Sequence, residues 1–309
     1  MKNIKLVSRK FLGLWTLFRL MPVMTFSGSI VLMNAACAWL KVGVAVTHFA
    51  LILAAGALTI NGLLAHSLND IEDWRSGTDR VSRGILSGGS KVLKYGFFTQ
   101  PDLRKVVILA LSISLGIGIY FYIFRGPLVL VALAFGIFAA WVYTCPPLRL
   151  AYRPFLGEWI CLWLSGTVLS TASYFILTGG FDIFPFFAGV VQSTLVLGWL
   201  MQHHVPDISA DLSAAPVKLT TPAYFYLRWG PQYAMMPSAM YFVLALVLSI
   251  AGYYYIHPVF LGMAFVAILG ILAAASTKSQ DVMDVTRKQL FTTALIIINS
   301  MVFTIYITL

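Results

Sequence analysis

The chain has 309 residues, 60% of them hydrophobic and only 10% charged, with 21 Lys and Arg against 11 Asp and Glu for a formal charge of +10. A soluble chain is usually about 45–50% apolar and about 25% charged, so this one would expose more hydrocarbon than water tolerates. A soluble enzyme is excluded, and the clustering of charges between long apolar runs predicts an all-α polytopic membrane protein.

In chain order, the basic segment MKNIKLVSRK leads into an apolar run that continues through Cys37 without a small-residue cleavage site. It reads as a retained first span, not a signal peptide. At about 17–25 residues per crossing, nine spans are predicted, over about 19–40, 44–68, 104–124, 127–144, 155–177, 184–204, 231–255, 258–276 and 289–308. They form one membrane-embedded domain over 1–309. Cys37, Cys145 and Cys161 are scattered and suggest neither a disulfide framework nor a metal knuckle.

Nineteen of the Lys and Arg residues fall on one side of this topology. They lie in the N-terminal segment, the long loop after the second span, and the loops after spans four, six and eight; only Lys41 and Arg125 fall on the other side. The asymmetry predicts a cytoplasmic N-terminus and an outer C-terminus. It also accounts for the basic charge with the lipid bilayer as partner and no nucleic acid. All acidic residues but Asp182 lie on the same side. Acidic residues contribute little to orientation, so their placement needs another reason.

Six of them form two sets at helix ends: Asp70, Glu72, Asp73 and Asp79 after span two, then Asp207 and Asp211 after span six. Asn69 and Asp73 are four apart and share a helix face, as do Asp207 and Asp211. Asp79 lies beyond Gly77, on a loop able to fold back. Two such oxygen pairs on facing helices suit a hard cation such as Mg²⁺, which takes carboxylates, waters and phosphate oxygens. A cation also removes the repulsion between carboxylates held close together. Arg83, Lys91, Arg149 and Lys218 lie near these sets in sequence and suit the outer oxygens of a diphosphate. A solvated helix end explains either set alone. Both together, flanked by basic residues, favour a metal-bridged diphosphate at a membrane surface.

These residues resemble the UbiA superfamily of membrane prenyltransferases, whose first motif is NDxxD with a further Asp and whose second is DxxxD. Here the motifs are Asn69-Asp70-Ile71-Glu72-Asp73 and Asp207-Ile208-Ser209-Ala210-Asp211, and the stretch from Tyr143 to Leu150, with Arg153, Gly157 and Glu158, is similar to the family's loop after span four. The resemblance covers essentially the whole chain. It implies a nine-helix bundle in the cell (inner) membrane with its site facing the cytoplasm. It implies Mg²⁺ held by Asn69, Asp70, Asp73, Asp79, Asp207 and Asp211, with Asp70, Asp73, Asp207 and Asp211 central to catalysis. The implied substrates are a polyprenyl diphosphate and a small aromatic acceptor. The position of Asp79, and the run Ser87-Gly88-Gly89-Ser90-Lys91, resemble the 1,4-dihydroxy-2-naphthoate prenyltransferases of menaquinone synthesis. Those usually carry Asn-Asn-x-Arg before the second motif, where this chain has His203-His204-Val205-Pro206.

The two histidines admit several readings: lining of the acceptor pocket, hydrogen bonding to Asp207, plain interfacial residues, or zinc ligands in an HHxxD set. His66 faces the same cavity or is a buried, hydrogen-bonded histidine. Pro206 is expected to break span six near the site. Arg19, near Pro22, fits either a positive anchor or the family's first-span Arg. Two rival functions stand beside the transferase: a terpene cyclase of the same superfamily, and an ion-coupled transporter. Transporter ionisable residues concentrate near the bilayer midplane, unlike these.

Overall fold

A computed structural model of the chain describes residues 2–309, with side chains from Arg9 onward. The side chains of Lys2 and Lys5, counted in the charge asymmetry, lie outside the described residues. All regular structure among the described residues is helical.

Helix α1 (Lys2–Phe18) ends at Arg19, whose left-handed backbone (φ 49°) turns the chain. Helix α2 spans 20–42 with a wide π turn at Met24–Gly28, and Gly43 separates it from α3. Helix α3 spans 46–76 with a second π turn at Ile60–Ala65. It therefore runs two turns past the predicted end and carries Asn69, Asp70 and Asp73 within a continuous helix. A short turn at Thr78–Val81 and an irregular loop lead to α4 (Gln100–Arg125) and α5 (Leu128–Thr144). Helix α6 spans 157–178 and opens with a third π segment at Gly157–Trp163. Then come α7 (Ile183–His204), α8 (Ile208–Ser213), α9 (Thr221–Trp229), α10 (Met236–Tyr255), α11 (Phe260–Ser276) and α12 (Val282–Thr308).

Caps set the helix ends that differ from the sequence expectation. Helix α4 starts at Gln100 because Thr99 and Asp102 form a capping box around Pro101. Helix α12 starts at Val282 because the Asp281 carboxylate accepts the Met283 and Asp284 amides. Pro206 tightens the chain into a 3₁₀ turn at Val205–Asp207, after which helix resumes as α8. The predicted break is thus a tightened turn.

Helix α7 is the axis of the bundle, with Val191, Leu195, Val196 and Leu197 fully buried between its neighbours α6, α10 and α12. Phe242 of α10 wedges against Gly198 and Gly270, where an added Cβ would come within 2.9 and 2.5 Å of its ring. Small residues of this kind let helices approach closely where hydrophobic burial gives no drive. On the outside, Ile123 is 71% exposed and Val131 is 64% exposed. Six stretches, 9–76, 100–125, 157–178, 183–213, 231–255 and 282–308, are long and apolar enough to cross a bilayer, while α5 and α11 are apolar but shorter. The chain is an integral membrane protein whose outer surface faces lipid.

Between α2 and α7 lies a cavity of about 280 Å³. Leu53, Ile117, Phe121, Leu133 and Leu169 supply apolar walls, and Asp73, Asp79, His203 and Lys218 mark a polar end. All three π segments reach it, through Phe26 and Ser27, Ile60 and Asn61, and Cys161 and Leu162. Such turns are rare and concentrate at functional sites.

Candidate active site

The end of α3 buries its three acidic residues, Asp70, Glu72 and Asp73, by different means. Asp70 accepts the Ser90 amide (3.0 Å) and the Ser90 hydroxyl. Asp73 accepts from the Asn69 amide (3.1 Å), the Tyr152 hydroxyl (3.0 Å) and the Lys218 ammonium (2.6 Å). Glu72 points elsewhere and pairs with Arg75 and with Arg149 (3.4 Å). Gly77 adopts φ 96°, open to glycine at little steric cost, and this reversal tucks Asp79 in beside Asp70 and Asp73. The loop then crosses directly over the carboxylates: a Cβ at Gly89 would stand 2.2 Å from Asp79 Oδ2 and 2.8 Å from Asp70 Oδ1.

The second motif is joined to the first by this loop and by the segment after α8. The Ser82 hydroxyl donates to Asp207. The Ala215 amide donates to the Ser76 carbonyl (2.9 Å), and the Lys218 amide to the Asp211 carbonyl (2.9 Å). Asp211 is buried with neither carboxylate oxygen hydrogen-bonded, and Lys218 Nζ stands 3.9 Å from its Oδ1. Asp79 Oδ1 is likewise unpartnered. Five buried aspartates from two distant stretches of sequence therefore gather in one cluster with Lys218, and Asp73, Asp79 and Lys218 line the end of the cavity.

The electrostatics follow from this crowding. Burial, and then the Asp73 and Asp70 carboxylates, push Asp79 well above the usual carboxylate range. For Lys218 burial opposes the charge, but Asp73 and then Asp211 outweigh it and hold the ammonium well above its ordinary value. Burial and then Asp73 raise the Tyr152 phenol, keeping it a donor.

The four candidate diphosphate ligands separate. Only Lys218 sits among the carboxylates. Arg149 is spent on Glu72, Lys91 folds back onto the Gly84 carbonyl, and Arg83 is exposed. His66, His203 and His204 all line the cavity. His66 contacts the Leu17 carbonyl (3.2 Å), and His204 the Tyr143 hydroxyl (3.3 Å). His203 is held at both ring nitrogens, by Arg19 (3.1 Å) and by the Gln289 side-chain amide (2.8 Å), and stacks on Trp199. Both its ring nitrogens are thus engaged within the protein. Arg19 also donates to the Leu86 carbonyl (2.9 Å), so it fastens the loop to the cavity wall and is more than a surface anchor. Ser82, Ser90 and Tyr152 complete the site without a sequence signal beyond the Ser-Gly-Gly-Ser run over 87–90.

Among the described residues, no three Asp, Glu, His or Cys side chains close a metal set by themselves. Mg²⁺ does not need one, since it retains waters and is held by one or two carboxylates plus phosphate oxygens. The three unpartnered carboxylate oxygens of Asp79 and Asp211 are buried acceptors that only a cation or donor can satisfy. The donor set therefore fits this ion.

No protein-family model matches the chain. The chloroplastic 2-carboxy-1,4-naphthoquinone phytyltransferase of Arabidopsis thaliana is 30% identical over 112 residues, 32% of this chain and 29% of that protein. The match thus spans less than a third of the relative's length. A UbiA homologue from Archaeoglobus fulgidus, solved with GPP and Mg²⁺, superposes with a TM-score of 0.66 at 16% identity, covering 94% of this chain and 99% of that one. The apo UbiA homologue from Aeropyrum pernix K1 gives 0.60 at 17% identity, covering 89% and 96%. A digeranylgeranylglyceryl phosphate synthase gives 0.60 at 16% identity, covering 97% and 99%. The chain has the fold of the UbiA homologues over nearly its whole length, and the resemblance read from its motifs stands at that level.

Proposed function

We propose that the chain is a prenyltransferase of the UbiA type, moving the prenyl group of an allylic polyprenyl diphosphate onto a small aromatic acceptor and releasing diphosphate. The observation that carries this reading is the cluster of five buried aspartates, of which Asp73 and Asp79 line the polar end of a largely apolar cavity. The names of the Arabidopsis relative and of the GPP-bound and Mg²⁺-bound A. fulgidus homologue support the reaction class, the donor and the metal.

Asn69, Asp73, Asp79 and Asp211 would hold Mg²⁺, with Asp70 and Asp207 behind them; when bound it neutralises diphosphate charge and acts as a Lewis acid on the leaving group. Lys218 donates to the diphosphate oxygens as the carbon–oxygen bond breaks and the electron pair leaves with diphosphate. The apolar walls take the prenyl tail and keep water from the allylic cation. Phe26, Phe121 and Tyr143, all on the cavity wall, present π faces to that cation. An electron-rich ring then forms the new carbon–carbon bond and loses its proton to restore aromaticity. His66, His203 and His204 line the acceptor side.

In this reading the turn at Gly43 splits the 9–76 stretch into two crossings, and with α5 and α11 the single domain crosses nine times. The excess of Lys and Arg supports an acidic end that faces the cytoplasm, in the cell's inner membrane. The test is diphosphate release by purified protein in nanodiscs, with Mg²⁺ and geranylgeranyl diphosphate, with and without 1,4-dihydroxy-2-naphthoate. A prenylated naphthoate formed only with acceptor is the expected product. A cyclic hydrocarbon released without acceptor would replace the transferase by a cyclase.

A further inference from the structure

Lys218 is the one side-chain cation, among the described residues, within ion-pairing distance of any of the five aspartates. Its ammonium is 2.6 Å from Asp73 Oδ2 and 3.9 Å from Asp211 Oδ1, so it spans the two motifs. It is buried, with the Tyr152 ring 5.6 Å away, and its own amide is tied to Asp211. The other basic groups nearby are committed elsewhere: Arg19 to Leu86 and His203, Arg149 to Glu72, Lys91 to Gly84.

We infer that Lys218 is the resident counter-ion of the two acidic motifs, holding between Asp73 and Asp211 the place a divalent cation takes, so that the site admits its metal only together with a diphosphate. The inference rests on the prenyl diphosphate reading above. The reasoning is one of charge and space. An ammonium and a divalent cation on the same Asp73 oxygen repel strongly in a site closed to water. Without a new acceptor Lys218 has nowhere to move its charge. A diphosphate supplies oxygens to the ammonium, whose four-carbon stem lets it swing without moving the backbone. Asp73 and Asp211 are then released to the incoming ion. Lys218 thus acts first as a lock on the carboxylates and then as a ligand of the substrate.

The test is equilibrium dialysis of Mn²⁺ against the full-length protein in nanodiscs, with inorganic pyrophosphate either absent or equal on both sides. Wild type is expected to bind Mn²⁺ at least about tenfold more tightly with pyrophosphate than without. Lys218→Met should bind Mn²⁺ alone at least about tenfold more tightly than wild type and lose the pyrophosphate dependence, while Lys218→Arg, which retains the charge, should keep it. Because Lys218→Met leaves Asp73 without its cation, thermal unfolding provides a second readout: Mg²⁺ alone should raise its midpoint but not that of wild type. Equal Mn²⁺ affinity of Lys218→Met and wild type without pyrophosphate, with pyrophosphate-dependent uptake intact, overturns the inference and leaves the enzyme reading standing. No uptake by wild type even with pyrophosphate overturns both.

Discussion

The acidic ends of α3 and of the α7–α8 segment share one spacing, two oxygen-bearing side chains four residues apart, yet their second aspartates are in opposite states. Asp73 receives three donors, from Asn69, Tyr152 and Lys218. Asp211, as deeply buried, receives none. The first end is furnished with donors for the protein at rest, and the second keeps both carboxylate oxygens free of hydrogen bonds, with the Lys218 ammonium 3.9 Å from one of them. Equal spacing in sequence therefore does not mean equal roles.

The contrast predicts effects of different size and sign. Asp73→Asn should have the largest: loss of activity by about 10³-fold, from a ligand lost where transition-state charge develops. It should also lower stability by about 3–5 kcal/mol, because Lys218 keeps a buried charge without its partner. Asp207→Ala should abolish activity too, with the protein still folded. Asp211→Asn should lower activity by about 10²-fold but raise the unfolding midpoint of the ligand-free protein, since the buried carboxylate it removes makes no hydrogen bond and stands 3.9 Å from Lys218. A lower midpoint in that variant would erase the distinction between the two ends.

A pH series sharpens the comparison further. The Asp79 pKa in the folded protein lies above its unfolded value. Its contribution to stability is thus full below the ordinary carboxylate range and is lost as pH rises through the raised value. The unfolding midpoint of the ligand-free protein should fall over that window. Asp79→Asn should flatten the fall, and Mg²⁺ with pyrophosphate should offset it. The smallest effect is expected at the loop. Ser90→Ala leaves Asp70 with one donor, a change of about 1–3 kcal/mol, read as a rise of about tenfold in KM for the diphosphate substrate.

The aspartates were legible in the sequence because helical spacing and position at span ends are local properties. What closes over them was not. Ser82 reaches Asp207 across 125 residues and Lys218 reaches Asp73 across 145, and a lone serine or lysine carries no periodicity to announce such a contact. Basic residues near a motif in sequence take different positions for the same reason. Arg83 points to the surface, Lys91 to its own loop, and Arg149 to Glu72, the one acidic residue of the first motif that faces away. Arg19 was ambiguous because only its left-handed backbone turns it into the cavity. Helix α9 carries too short and too mixed a pattern to have been predicted as an element, though Thr220 caps it.

The π turn in α3 has a consequence for reading that helix as a wheel. Each residue of an α-helix advances the side-chain direction by about 100°, and a π turn absorbs one extra residue over a single revolution. Phase counted from Leu53 through 60–65 to Asp73 at ordinary helical spacing is therefore wrong by about one residue, or about 100°. Deleting one residue within 60–65 would restore a plain α-helix and keep Asp70 and Asp73 on their present heading. Deleting one between His66 and Asn69 would instead swing Asp73 by about a quarter turn or more, away from Lys218, with every cavity-wall residue of the upstream half still in place.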